Sequence, residues 1–396
     1  MPIDISKLSS RHLLEIDACT RCGECLNSCP VYAELEDEDI NPRGKIQTLK
    51  RFIRNQYGLW ARIFGPRKLS EDTLKTFSEK AFRCTLCAAC NVACPVSINL
   101  KDLSVAMRET MVGIGHYPKT FENLKKNLLS DHNISADENE ERAEWIEDLE
   151  EIPEHRYQKD KAEIVYFVGC VASYFPMVQK IPQNFVQILD KGGVDFTILA
   201  GEEWCCGFPL IGAGMSKELE KLKAHNLDKI QEVGAKRVVF SCPSCYRTWN
   251  EFYDTDVELL HSSHLLEQLI KEKKIPLKEL NLTVTYHDPC DLGRNSGVYE
   301  PPREVLRMIP GLKLVELVHN REKAICCGGG GNLEMVDPEL SATIAQKKID
   351  EIQNTGADIV VTACQQCIRT ISSRARKQGI KLKVMDLTEI VMMAMK

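Results

Sequence analysis

Two stretches decide the fold: Lys161-Ala-Glu-Ile-Val-Tyr-Phe-Val-Gly-Cys170 and Asn281-Leu-Thr-Val-Thr-Tyr-His-Asp-Pro-Cys290. Each is an apolar, β-branched run ending at a cysteine, the pattern of a buried strand that leads into a turn. The match continues downstream. Trp204-Cys-Cys-Gly207 aligns with Ile325-Cys-Cys-Gly328, and Gly234-Ala-Lys-Arg-Val-Val-Phe-Ser-Cys-Pro-Ser-Cys245 aligns with Gly356-Ala-Asp-Ile-Val-Val-Thr-Ala-Cys-Gln-Gln-Cys367, the offset staying between 120 and 122 residues. This is an internal repeat. Each copy reads strand, helix, strand, cysteine turn, helix, strand, cysteine turn, which suits a small parallel sheet with helices on its faces. Two pseudo-symmetric α/β lobes, 161–280 and 281–396, are therefore expected, with their cysteines on the strand-end loops where such sheets place ligands.

Upstream, residues 1–125 read as a helical domain with two further cysteine runs. Between those runs, the segment 41–68 carries eight Lys/Arg and no acidic residue, and Ile46, Leu49, Ile53, Tyr57 and Trp60 fall at helical spacing. An amphipathic basic helix is expected, either packed on a core or offered as a docking face. From Asp131 to Arg156 the balance inverts to eleven acidic residues against Arg142 and Arg156. That stretch reads as a solvated acidic helix or linker, 126–160, at a domain boundary.

The whole chain has 396 residues, 43% hydrophobic, with a formal net charge of −6. The mildly acidic balance argues against a general polyanion or nucleic-acid binder, and the ordinary apolar fraction excludes disorder. The longest apolar clusters, such as Ile164–Val168 and Val391–Met395, are too short to span a membrane. Eighteen cysteines is a high count. The opening residues lack the charged and apolar regions of a secretory signal, so a reducing, cytoplasmic setting is expected, with the cysteines as metal ligands rather than disulfides.

Every cysteine falls into one of four sets. Cys19-x2-Cys22-x2-Cys25-x3-Cys29-Pro30 and Cys84-x2-Cys87-x2-Cys90-x3-Cys94-Pro95 have the spacing of bacterial two-cluster ferredoxins, in which the fourth cysteine serves the other cluster. Two 4Fe-4S cubanes follow, one on Cys19, Cys22, Cys25 and Cys94, the other on Cys84, Cys87, Cys90 and Cys29. Structural zinc explains neither the tripled spacing nor the two prolines. The remaining sets are Cys170, Cys205, Cys206, Cys242, Cys245 and Cys290, Cys326, Cys327, Cys364, Cys367. Five thiols is one more than a cubane needs. Adjacent cysteines point in different directions, so a Cys-Cys-Gly turn can serve two irons of an opened, noncubane cluster. A redox-active vicinal disulfide and a zinc site are the competing readings.

Paired CCG modules behind a two-cluster ferredoxin region resemble the D-type catalytic subunit of heterodisulfide reductase. The same layout is similar to the iron–sulfur subunits of glycolate oxidase and anaerobic glycerol-3-phosphate dehydrogenase. The resemblance covers nearly the whole chain. It implies a noncubane 4Fe-4S cluster in each CCG module and cleavage of a small disulfide between the two, which makes all ten CCG cysteines catalytic candidates. In the dehydrogenase subunits, where the CCG cysteines are often incomplete, it implies electron relay for a flavoprotein oxidising lactate, glycolate or glycerol 3-phosphate. Complete sets favour thiol–disulfide chemistry, since reduction of a disulfide yields two thiolates that soft iron ligation stabilises.

His287, beside Cys290, is a candidate proton donor to a leaving thiolate together with Asp288. The Gly328–Gly331 loop can aim amides at cluster sulfurs. His261 and His264 read as helix-start residues, and Gly212-Ala-Gly214 lacks the rest of a dinucleotide fingerprint, so no flavin or NAD is expected in this chain. Electrons must then pass through partners: a membrane cytochrome b or quinone-linked subunit, or a soluble flavoprotein, with a peripheral position on the cytoplasmic face of the membrane compatible with either. A zinc-stabilised scaffold is the third reading, which iron analysis separates from the first two.

Overall fold

The computed structural model describes residues 3–395. The chain forms two compact units: one comprises 1–123 with 209–217 and 328–344, the other 124–208, 218–327 and 345–396.

The first unit is helical. Each ferredoxin-type run turns through a left-handed residue, Gly23 (φ 93°) or Ala88 (φ 58°), into a one-turn helix, Glu24–Asn27 or Ala89–Ala93. Longer helices surround these turns. Pro42–Tyr57 buries Ile46, Leu49 and Phe52, and Phe52 meets Phe77 edge-on with ring centroids 5.2 Å apart. Leu100–Gly113 buries Leu100, Leu103, Ala106, Met107 and Met111. The basic segment is two helices rather than one. Gly58 takes an extended conformation and breaks it, so that a short second helix, Leu59–Phe64, leaves the apolar stripe and carries Trp60 to the surface.

The second unit holds both repeats. Strands β1 (Ile164–Phe167), β2 (Phe196–Ile198), β3 (Arg237–Phe240) and β4 (Glu258–His261) form a parallel sheet of order β2-β1-β3-β4. Strands β5 (Thr283–His287), β6 (Lys313–Glu316), β7 (Ile359–Thr362) and β8 (Val384–Asp386) repeat that order as β6-β5-β7-β8. Each sheet thus has a fourth strand beyond the three expected. β4 and β8 are short and partly exposed, and their few residues run directly into helices, which hides their alternation. One core joins the repeats, with Tyr166, Phe185, Tyr286, Leu306 and Ile390 in a single buried cluster. In both sheets the chain order reverses beside the first strand, creating a crevice at the carboxyl ends where ligands bind in such folds.

Part of the acidic stretch is packed rather than solvated. Arg142, Trp145 and Ile146 of the 3-10 segment Asn139–Asp148 are buried, because its few apolar and basic residues turn inward while its carboxylates face water. His261 ends β4 and caps the helix Ser262–Lys271, and His264 completes the capping box.

Asp386 caps the last helix, Leu387–Met395, accepting from the Thr388 amide at 2.9 Å and the Thr388 hydroxyl at 2.8 Å. Burial pushes its carboxyl up to about 7. The unfolded carboxyl, near its ordinary value, ionises first as pH rises, so this group's contribution to stability falls between roughly pH 4 and pH 7, by on the order of 4 kcal/mol. Asp386→Asn keeps an acceptor for Thr388. It should flatten that part of the pH profile and raise stability at pH 8 relative to the parent. Equal pH dependence of thermal unfolding for the two proteins would refute this.

Candidate metal centres

Within the first unit the two ferredoxin-type runs exchange their last cysteines. One cavity is lined by Cys19, Cys22, Cys25 and Cys94, with Arg43 and Ile46 of the long basic helix. A second is lined by Cys84, Cys87, Cys90 and Cys29, with Lys45, Arg83 and Lys101. Each places four sulfurs round one space. Burial raises the Cys25 and Cys90 thiols, and pushes Cys29 up to about 11, with the neighbouring Cys84 adding to it. Thiols held protonated by burial and mutual repulsion become good ligands once a cation enters, because metal binding displaces their protons. The donor sets fit iron–sulfur clusters.

The second cavity is braced by a residue that spacing did not reveal. Arg108 is fully buried, and its guanidinium donates to five main-chain carbonyls: Ala81, Phe82, Cys84 (2.7 Å), Gly212 and Gly331 (2.8 Å). Burial pulls it down to about 10, which leaves it a cation at neutral pH. The glycine loop packs on the same turn. A Cβ on Gly331 would lie 2.5 Å from the Cys84 carbonyl oxygen, and one on Gly330 2.6 Å from that of Thr85, so neither position tolerates a side chain.

In the second unit the CCG cysteines sit at the carboxyl ends of the strands. Cys170 follows β1 through Gly169, while Cys242 caps the helix Pro243–Phe252 after β3, with Pro243 pre-set for its first turn. Cys364 holds the same place before Gln365–Lys377 after β7. The first set forms a chain of contacts, Cys170 to Cys205, Cys205 to Cys206, Cys206 to Cys245, and Cys245 to Cys242. Donation from Cys205 and Cys245 pulls the Cys206 thiol down to about 6. In the second set Cys327 is pulled well down by Cys326 and Cys367, and its sulfur lies 3.3 Å from that of Cys367. Cys290 is half-buried beyond β5. The two C-x2-C turns adjoin: Gln365 donates to the Ser241 hydroxyl at 3.1 Å, and Cys364 feels the charge of Cys242.

The surroundings of the two sets differ. Beside the first, the fully buried Arg142 reaches the Cys170 sulfur at 3.6 Å and pairs with buried Glu203 at 2.9 Å. Glu203 accepts in turn from the amides of Val168 (2.7 Å) and Gly169 (2.8 Å), fixing the loop that presents Cys170. Trp204 is sandwiched between His132 and His225, with ring centroids 3.5 and 3.6 Å away. Beside the second, His287 replaces the Phe167 of the first repeat. Neither of its ring nitrogens has a nitrogen or oxygen partner, and its ring shares a space under 4.8 Å across with the sulfurs of Cys327 and Cys367. Lys348, also fully buried, pairs with Glu351 at 2.5 Å and acts electrostatically on Cys327. Asp288 is not poised as a proton donor, for Arg303 holds it in a two-point pair at 2.7 and 2.8 Å and the Arg321 amide donates to it as well.

Arg108, Arg142, Glu203 and Lys348 left one usable trace in the sequence. Arg108 falls on the buried stripe of its helix, four residues from Ser104 and eight from Leu100, and an arginine at a core position needs buried partners.

Comparison with known proteins bears on these centres directly. A cysteine-rich CCG domain matches residues 164–249 and again 284–372, and a 4Fe-4S dicluster domain matches 15–98. The chain is 35% identical to the D-type subunit of the dihydromethanophenazine:CoB–CoM heterodisulfide reductase of Methanosarcina acetivorans, covering 99% of this chain and 97% of that one. It is 28% identical to the EtfAB:quinone oxidoreductase of Syntrophomonas wolfei, over 99% of this chain but 60% of that protein. A solved structure of a hypothetical protein from Helicobacter pylori shares the fold, with TM-score 0.59 at 12% identity, over 99% of this chain and 76% of its own. The relatives named as subunits belong to multi-protein redox enzymes, and among the described residues no helix is long and apolar enough to cross a membrane. With a dicluster domain ahead of two CCG domains, and a likeness to the Methanosarcina protein that runs nearly end to end, the chain is an iron–sulfur oxidoreductase subunit of the heterodisulfide reductase D family.

Proposed function

We propose that this subunit couples electron transfer through two cubane 4Fe-4S clusters to reduction of a small disulfide, or the reverse oxidation of two thiols, at two noncubane 4Fe-4S clusters. The cubane ligands would be Cys19, Cys22, Cys25 and Cys94, and Cys84, Cys87, Cys90 and Cys29. The ten CCG cysteines would hold the other two clusters in pseudo-symmetric modules. One observation carries the reading: both five-cysteine sets are complete and stand at the carboxyl ends of adjoining sheets. When bound, the clusters supply two electrons and soft iron sites for the thiolates produced, while two protons complete the thiols.

The chain's own residues divide the remaining work. Arg142 neutralises thiolate charge at the first set, and Lys348 does so at the second. His287 offers a ring nitrogen beside Cys327 that can carry a proton toward a departing thiolate. The disulfide would lie between the modules. Electrons would be exchanged with a membrane cytochrome b or quinone-linked subunit, or with a soluble flavoprotein, this chain lying at the cytoplasmic face without a flavin or NAD of its own.

The test is anaerobic electron paramagnetic resonance on the iron-loaded chain across a range of potentials, with and without a small thiol under oxidising conditions. Full loading should give about 16 irons. A paramagnetic signal that appears only with thiol is expected. Signals indifferent to thiol would instead assign the relay role that the EtfAB:quinone oxidoreductase relative suggests.

A further inference from the structure

The short helix Leu59–Phe64 presents four large apolar side chains to solvent: Leu59, Trp60, Ile63 and Phe64 are 69%, 70%, 61% and 77% exposed. Only Ala61 of this helix is buried. Trp60 and Phe64, one turn apart, stack with centroids 5.7 Å apart, so the two rings form one ridge. Isolated apolar residues at a surface are ordinary, but four in six consecutive positions are not.

Basic residues flank this ridge along the chain. Arg51, Arg54, Arg62, Arg67 and Lys68 are all exposed, and none enters an ion pair with another described residue. The Arg67 amide donates to the Asn55 carbonyl at 3.1 Å, folding the basic tail of the segment back beside the long helix. No acidic residue occurs between positions 41 and 68, although the chain as a whole is net acidic.

We propose that this ridge and the basic residues flanking it form a docking surface for an anionic lipid bilayer. Tryptophan with neighbouring aliphatic side chains is suited to the boundary of headgroups and acyl chains, and arginine and lysine around it are drawn to anionic headgroups. A protein partner is the less fitting occupant. A stable protein interface needs about 800 Å² from each side and a shaped surface, whereas these side chains project from a single six-residue helix. A bilayer requires no shape complementarity.

The placement has a consequence for the clusters. The helix Pro42–Tyr57 contributes Arg43 and Ile46 to the Cys19, Cys22, Cys25 and Cys94 cavity and ends where the ridge begins. At the α-helical rise, Ile46 and Tyr57 are about 16 Å apart along the axis. Docking would hold that cavity close to the membrane surface, whichever chemistry the CCG modules perform.

The experiment is vesicle flotation with the full, iron-loaded chain under anaerobic conditions. The probes are phosphatidylcholine vesicles with and without about one third phosphatidylglycerol. The chain should float with the anionic vesicles at low salt and be released as salt shortens the range of charge attraction. Trp60→Glu/Phe64→Glu and, separately, Arg62→Glu/Arg67→Glu should each lower binding by about tenfold or more, with iron content unchanged because all four residues are exposed. Absence of binding to anionic vesicles at low salt, or binding unaltered by both variants, would overturn the proposal. So would self-association of the parent that Trp60→Glu/Phe64→Glu abolishes, since a second copy would then cover the ridge.

Discussion

Replacing Cys327 or Cys206 with alanine should abolish the thiol-dependent paramagnetic signal and leave the signals of the ferredoxin-type clusters intact. These two cysteines occupy the inner position of each CCG turn. Cys206 is in contact with both Cys205 and Cys245, and Cys327 with Cys326, Cys367 and His287. They are the thiols that their neighbours make most acidic, hence those most ready to ligate. Loss of one noncubane cluster would lower iron from about 16 to about 12 per chain. If either variant keeps the signal and the iron of the parent, the five-cysteine assignment is wrong. A Cys327→Ser variant separates ligation from packing, because it preserves side-chain volume while substituting a hard oxygen for a soft sulfur.

Arg108→Met should have the largest effect in the helical unit. It would leave five buried carbonyls without their donor, at about 1–3 kcal/mol for each that finds no substitute, and remove the buried cation next to Cys84. Iron should be lost selectively from the cavity of Cys29, Cys84, Cys87 and Cys90. Any cluster that survives should have a more negative reduction potential, since the extra electron loses a favourable positive charge. Arg108→Lys retains the charge but offers only three donors, so it should keep more of the potential than of the stability. Full iron content with an unchanged potential in Arg108→Met would sink this account. Comparing the two substitutions distinguishes a brace from an electrostatic tuner.

Spacing made much of the candidate chemistry readable in advance. A ferredoxin-type run or a CCG repeat is legible because its cysteines recur at fixed intervals, closely spaced in Cys19–Cys29 and spread over three turns in Cys170–Cys245. The parallel sheets were readable for a related reason: strands buried on both faces, such as Ile164–Phe167 and Ile359–Thr362, leave long β-branched runs. Short edge strands such as Val384–Asp386 carry no comparable signal, since three residues cannot show a period. The basic segment misled at one position. Helical spacing continues through Trp60, but Gly58 redirects the chain and turns a core-like residue outward.

The sequence by itself thus carried the four cysteine sets, the repeat and the family resemblance, because each rests on motifs and intervals read along the chain. Only the tertiary structure decided which charges stand beside those sets. Arg108 reaches carbonyls 24 to 223 residues away in the chain, Arg142 bonds a carboxylate 61 residues on, and Asp288 is claimed by Arg303 rather than left free. A buried charge must find its partners wherever the fold provides them, since desolvation penalises it everywhere else. No periodicity along the chain records such a meeting.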